Sequence, residues 1–295
     1  MAVSTAGMVA RQRFGGALTQ LRLAARTADG ATVKQQDAGK AIKRKGPDRV
    51  SRLERGDAWP EPWELDRLLK LYSADVETSV RLRTMLEEGQ AISSSWWQSF
   101  QNDFPESLIE FVAYEDAATK IVTCAGNVVP GLLQRSAYAH AITKHLTKST
   151  ATAPLVERSV ELRTNRRRIF EKANRPAVEA IIGEAALRQQ VGGRSVMLEQ
   201  LDGLLTDAED HGVTFRVIMF EAGATLTYFF HLLEFGGSNE TPVAAFDAMT
   251  GMTFRKSTRE VRGVKGFVEA SRDLALSPED SLEMIRTIRK EMSRD

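Results

Sequence analysis

Arg49, Arg52 and Arg55 recur at a spacing of three within the octapeptide RVSRLERG, residues 49 to 56. A guanidinium is a rigid fork of donors, suited to the O6 and N7 acceptors of guanine or to phosphate oxygens. On a helix this spacing keeps the groups to one side, while Val50 and Leu53 form a narrow apolar seam on the other. A short helix with such a seam docks on a small core and presents its arginines outward. The flanking residues suit that helix. Pro47 is pre-set in φ for a first helical position, Asp48 and Arg55 match the helix dipole, and Gly56 supplies a left-handed stop. The expectation is that Arg52 reads a base edge, with Arg49 and Asp48 beside it. Lys45 and Ser51 touch phosphate, and Arg55, Thr32 and Lys34 complete the candidate DNA-binding set.

Charge is distributed to match. The 295-residue chain has a formal net charge of only +1, yet residues 1 to 56 hold twelve Lys/Arg against four Asp/Glu, a net +8. The remainder holds 28 against 35, a net −7. The electrostatic footprint is thus confined to one module. Phe14 is the only aromatic before Trp59, which disfavours stacking on single strands and favours duplex DNA. A solvated basic face is the alternative reading of the charge run.

Upstream, Phe14, Leu18 and Leu21 follow the spacing of an amphipathic helix. Thr32 can cap a second helix with Val33, Ala38, Ala41 and Ile42 on its inner side. The DGAT and KRKGPD segments between are turn-rich. Downstream, Pro60 and Pro62 precede a helix opened by Trp63 and Leu65, and a further helical pattern runs from Val76 to Gly89. Five short helices over residues 1 to 90 predict a small all-α domain.

These residues carry a resemblance. The F-G-x-x-L-x-x-L-R pattern of Phe14 to Arg22, the RVSRLERG stretch and the Pro-x-Pro exit resemble the Xre/Cro-like helix-turn-helix domains. The resemblance implies that RVSRLERG is a recognition helix. It also implies that Arg22 pairs with Glu54 as a buried structural pair orienting that helix.

Composition bounds the rest. The chain is 42% hydrophobic and 27% charged, ordinary for a globular protein. Its longest apolar runs are far short of a membrane span, and no apolar leader opens it. Cys124 is the only cysteine, which rules out an internal disulfide and makes a reducing cytoplasm the expected compartment. GQAISSS, residues 89 to 95, marks a boundary, and the tandem Trp96-Trp97 after it reads as packing rather than as a ligand clamp.

Residues 95 to 295 predict a larger mixed α/β domain. Ile121–Val122, Val178–Ile182, Phe215–Phe220, a long Thr225–Phe235, Val243–Met249 and Met252–Arg255 read as strands. Tyr138–His145, Pro154–Lys172, Val196–His211 and Pro278–Met292 read as helices. The strand, helix, strand order predicts a crossover unit in a partly parallel sheet. The segments YEDAATKI, VVPGLLQRSAYAHA, GEAALRQQVGG and MLEQLDGLL resemble the C-terminal domain of actinobacterial antitoxin-like Xre-type regulators. That resemblance implies a domain that responds to an effector or to a small partner protein encoded nearby.

Other signals point to structure. His140 and His145 lie about 140° apart around a helix, a poor metal pair. His211 and His231 have no spaced ligand partner, and Cys124 has no neighbouring base, as befits a buried thiol. Gly192-Gly193 and Gly236-Gly237 lack the lysine of a phosphate loop, and Glu184 and Glu199 are lone carboxylates. Arg163, Arg166, Arg167 and Arg168 form a basic cluster that could contact DNA or an acidic partner, or be salt-bridged. The expectation is therefore a homodimeric, sequence-specific, duplex-DNA-binding transcriptional regulator, not an enzyme, with no cofactor, metal or catalytic residue. Tyr228, Phe229 and Phe230 are the residues that could line an effector site. An antitoxin-like protein that mainly holds a small partner, with DNA binding as autoregulation, is the alternative.

Overall fold

Apolar residues three and four apart fold the first part of the chain into helices. In the computed structural model, which describes residues 5–27, 29–44, 46–91, 96–146, 152–222, 229–236, 240–248 and 251–294, the chain divides into two compact units. One comprises Met1–Ser99 with Phe235–Thr241, the other Phe100–Glu234 with Pro242–Asp295.

The first unit is all-α among its described residues: α1 (Thr5–Ala24), α2 (Gln35–Ala41), α3 (Asp48–Glu54), α4 (Pro62–Leu71) and α5 (Val76–Ala91). Phe14, Leu18, Ile42, Val50, Leu53, Leu65 and Leu68 are fully buried in one core, so the seam of α3 does face inward. Close approach of α1 to α3 requires a residue without a side chain, because a Cβ on Gly15 would lie 2.5 Å from the Glu54 carbonyl oxygen. At the end of α3, Gly56 has φ +75°. The Asp57 N–H donates to the Arg52 carbonyl and the Gly56 N–H to the Leu53 carbonyl, a Schellman stop.

Two local readings need correction. Thr32 does not cap α2: it pairs with Arg26 across a short bridge, and the helix begins three residues later with Lys34 as its N-cap. Backbone bonds from Val33 to Ala25 and from Thr27 to Ala31 hold this stretch as a tight hairpin, while the Lys34 N–H finds its partner in the Asp37 carboxylate at 3.3 Å. Pro47 stands at the N-cap of α3 rather than inside it.

The second unit is mixed α/β. Its described elements run α6 (Glu106–Ala117), β1 (Lys120–Ala125), α7 (Ser136–Leu146), α8 (Ala153–Arg166), β2 (Ala177–Gly183), α9 (Glu184–Arg188), α10 (Arg194–His211), β3 (Thr214–Ile218), β4 (Phe230–Glu234), β5 (Val243–Ala248), β6 (Gly251–Arg255), α11 (Thr258–Leu274) and α12 (Pro278–Arg294). The strands form one six-stranded sheet in the order β3-β2-β1-β4-β5-β6. The first three run parallel, joined by helical crossovers, and the last three antiparallel. Alternation along the strands gives the sheet two faces. One carries Val122, Cys124, Phe230 and Leu232 against Val261 and Val268 of α11. The other carries Thr123, His231 and Ala245, which register opposite one another across β1, β4 and β5, with the Phe111 ring of α6 tilted 40° against His231 at 4.6 Å.

Several expected boundaries shift. Pro154–Lys172 is not one helix: α8 ends at Arg166 and a 3-10 turn follows over Arg167–Glu171. The β3 strand stops at Ile218, and Phe220–Ala222 is a 3-10 turn. Of the expected strand Thr225–Phe235, β4 covers Phe230–Glu234, whereas residues 225–228 lie outside the described residues. Helices α6 and α11 go unassigned by periodicity.

Candidate nucleic-acid interface

Helices α2 and α3 are joined by the turn 42–47, where Lys43 at φ +54° and Gly46 at φ +91° reverse the chain. A carboxylate fixes each helix from behind. The buried Glu54 side chain accepts from Arg22 Nε at 2.6 Å, from Arg22 Nη2 at 3.0 Å and from Gln35 Nε2 at 2.7 Å. Arg22 Nη1 also donates to the Val33 carbonyl at 3.0 Å. One bidentate pair therefore ties α1, α2 and α3 together. The hydrogen bond to Glu54 outweighs burial and raises the Arg22 pKa above its ordinary value, so the guanidinium stays charged.

The second anchor is Glu64 on α4, whose side chain is fully buried. It accepts from Arg49 Nε at 3.1 Å, Arg49 Nη2 at 2.5 Å, Arg44 Nη2 at 3.4 Å and the Glu61 N–H at 3.0 Å. Burial alone would raise the Glu64 carboxyl pKa, but the hydrogen bonds from Arg49 and the Glu61 N–H prevail and hold it below the usual value. Arg49 Nη2 also donates to the Trp59 carbonyl at 3.1 Å. Arg49 is thus turned inward as a brace between α3 and α4, contrary to its expected place beside Arg52 at a base edge. The signal for Glu64 was present in the sequence: Glu61-Pro62-Trp63-Glu64 has the spacing of a capping box at a proline-started helix.

What remains outward is a short polar face. Arg52 is exposed and makes no hydrogen bond or ion pair with the described residues, and Asp48 is exposed one turn before it. Arg55 bridges Ser51 Oγ at 2.5 Å and Asp57 Oδ2 at 2.9 Å, so Ser51 and Arg55 sit on the same surface but hold each other. Lys34, Lys40 and Lys43 are exposed along α2 and the turn, as is Thr32 before them. Lys45 lies outside the described residues. Among the described residues this arrangement offers an unpaired guanidinium on a braced helix, flanked by exposed ammonium groups, which is the chemistry needed to read a base edge and grip phosphates.

The basic cluster of the second unit is not such a face. Arg166 is buried in a bidentate pair with Glu115, both bonds at 2.6 Å. Arg167 pairs with the buried Asp207 at 2.6 and 3.0 Å, Arg163 donates to Gln134 Oε1 at 3.2 Å, and only Arg168 is exposed. The VPGLLQ segment is pinned from several sides. Gln134 Nε2 donates to the Val129 carbonyl at 2.7 Å, the Arg135 N–H to Gln200 Oε1 at 2.7 Å and Gln200 Nε2 to the Leu133 carbonyl at 2.9 Å.

The other singled-out residues take packing places. Trp97 is buried and meets Trp96 edge to face at 5.5 Å. Glu184 bonds Arg188 at 2.6 Å and the Phe220 N–H at 3.0 Å, and His211 stacks on Phe170 at 4.7 Å. Cys124 is buried, and burial pushes its thiol up to about 12. Tyr228 lies outside the described residues, as do Gly237 and Ser95. Phe229, just before β4, and Phe230, its first residue, border different cavities. Among the described residues, no group of three or more His, Cys, Asp and Glu is placed to hold a metal ion, and no helix is long and apolar enough to cross a membrane.

Comparison with known proteins places most of the second unit. The chain belongs to the DUF5753 family, a domain of unknown function, whose model matches residues 108–287. No curated protein and no solved structure matches the chain.

Proposed function

We propose that this DUF5753 protein is a sequence-specific regulator of the Xre/Cro-like helix-turn-helix type that binds duplex DNA through α2, the 42–47 turn and α3. The observation that carries the reading is Arg52: an exposed guanidinium without a partner among the described residues, on a helix braced behind by Arg22–Glu54 and Arg49–Glu64. Such a group is pre-organised for bidentate contact with guanine, worth roughly 1–3 kcal/mol of discrimination. Lys34, Lys40 and Lys43 supply sequence-independent phosphate contacts, and the exposed Asp48 carboxylate can accept from a cytosine amino group. One short helix reads only a few base pairs, so the protein acts as a homodimer on half-sites about 34 Å apart. The DUF5753 unit regulates rather than grips DNA, since residues 100–295 hold 24 Lys/Arg against 27 Asp/Glu and carry no net positive charge.

The test is operator binding by fluorescence anisotropy across salt. Arg52→Ala weakens cognate binding and flattens preference, whereas Lys43→Ala weakens all duplexes about equally and reduces the salt slope by roughly 0.9 per lost phosphate contact. Equal cognate affinity and preference for wild type and Arg52→Ala overturns the reading.

A further inference from the structure

A partly open cavity of about 360 Å³ lies in the second unit, within the size range of small-molecule sites. Its walls are the sheet face carrying His231, Asp247 and Met252, α6 through Leu108 and Phe111, and α8 through Ser159, Leu162 and Arg163. Phe104 and Phe229 complete an apolar lining. Most of the surface is therefore hydrophobic, with a few convergent polar groups.

Those polar groups are unevenly satisfied. Arg166 reaches the cavity but is neutralised by Glu115, with which it shares two hydrogen bonds of 2.6 Å. Arg163, one turn earlier on α8, has no carboxylate within ion-pair distance among the described residues and donates a side-chain hydrogen bond to the neutral Gln134 at 3.2 Å. Burial, with Arg166 nearby, pulls its guanidinium down to about 10, so it is a charge held in an unfavourable place. His231 is fully buried, and its Nδ1 has no hydrogen-bond partner among the described residues. Burial and Arg166 hold this imidazole at about 3, so it is neutral. A half-buried guanidinium with no ion-pair partner among the described residues, opposed only by the longer-range pull of the Asp247 carboxyl, and a buried ring nitrogen without a hydrogen-bond partner each cost stability. Both open on the same cavity.

We infer that this cavity is a binding site for a small organic monocarboxylate with an apolar body, whose carboxylate is held by the Arg163 guanidinium. The fork of a guanidinium matches a carboxylate bidentately, and the ring nitrogen of His231 offers a further polar contact. The apolar walls from Leu108, Phe111, Phe229 and Met252 take the aromatic or aliphatic body. A phosphate dianion fits worse: among the described residues of the lining one guanidinium is free of an ion pair, and the Asp247 carboxyl that borders the same space disfavours a dianion more than a monoanion. The VPGLLQ segment belongs to this site, because Gln134 positions Arg163 and Gly131 leaves room for Arg166, whose Nη1 would lie 2.8 Å from a Cβ there. The site names the ligand class for the regulatory unit of the reading above, but binding is measured without DNA and stands or falls separately from it.

The test is calorimetry and thermal shift on the full-length protein with phenylacetate and hexanoate, their uncharged amides, and inorganic phosphate. Both carboxylates are expected to bind and stabilise, each at least about tenfold tighter than its amide, the equivalent of one charge-assisted contact. Arg163→Gln should raise the melting temperature of the free protein by removing the unpaired charge, and it should abolish the preference for carboxylate over amide. Leu108→Trp, which fills the cavity, should lose carboxylate binding with Arg163 intact, and Arg168→Gln should change neither. The inference is overturned by any of three results: no binding of either carboxylate at millimolar concentration, equal binding of carboxylate and amide, or tighter binding of phosphate. Unchanged carboxylate binding in Arg163→Gln or Leu108→Trp overturns it as well.

Discussion

Removing the Glu54 carboxylate strands a charge. The side chains of Arg22 and Glu54 are only 11% and 5% exposed, and Glu54 accepts three hydrogen bonds, two from Arg22 and one from Gln35. Glu54→Ala leaves the Arg22 guanidinium buried with the Val33 carbonyl as its remaining partner. Breaking a buried pair in this way costs about 3–5 kcal/mol. For a unit of this size each kcal/mol moves the midpoint by about 4–8 °C, so the first unit should melt at least about 12 °C lower. Circular dichroism melts of the full-length protein, with hydrogen exchange at α1 to α3, assign that transition to the first unit. The pairing itself is read from a cycle of Arg22→Met, Glu54→Leu and the double variant. Because an apolar pair of similar volume packs where the ions did, the double variant should recover about 2 kcal/mol or more relative to additivity. Additive losses would refute the argument, since two residues bonded at 2.6 Å must couple.

Three further outcomes follow from the same geometry. Arg49→Ala should cost about 2 kcal/mol or more of stability by leaving the buried Glu64 with weaker donors, yet preserve operator preference below the lowered melting point; a changed preference with unchanged stability would make Arg49 a reader. Glu64 has a folded pKa below its ordinary value of 4.5, so its contribution is complete above that value and lost as pH falls through the lowered one. The stability gap between wild type and Glu64→Gln should shrink on acidification, and a gap independent of pH would contradict the ion pair. Cys124, with its thiol raised to about 12 and fully buried, should resist a thiol-specific reagent until the protein unfolds; fast native-state labelling would show that β1 is open to solvent.

Local rules carried much of the fold. The seam Val50–Leu53, the stop at Gly56 and the parallel crossover from β2 to β3 follow from spacing, φ requirements and strand composition. Helices α6 and α11 escaped for different reasons. In α6, buried residues run almost continuously from Phe111 to Glu115, which erases the period. In α11, the valines and the glycines Gly263 and Gly266 weaken helix propensity. The arginines show the deeper limit. Arg49 and Arg52 look alike in sequence, and only the distant carboxylate of Glu64 separates a brace from a free guanidinium. Arg163 and Arg166 are likewise told apart by Glu115, 51 residues from Arg166. Long-range partners, not local pattern, decide which charges are available to a ligand.

The central claim is that Arg52 reads sequence in duplex DNA, and selection from a random duplex library tests it most directly. Full-length wild type should enrich a two-fold symmetric motif with a fixed guanine in each half-site, and Arg52→Ala should lose that guanine while Arg168→Ala retains it. Enrichment of no motif by the wild type, or of the same guanine-containing motif by Arg52→Ala, would contradict the account.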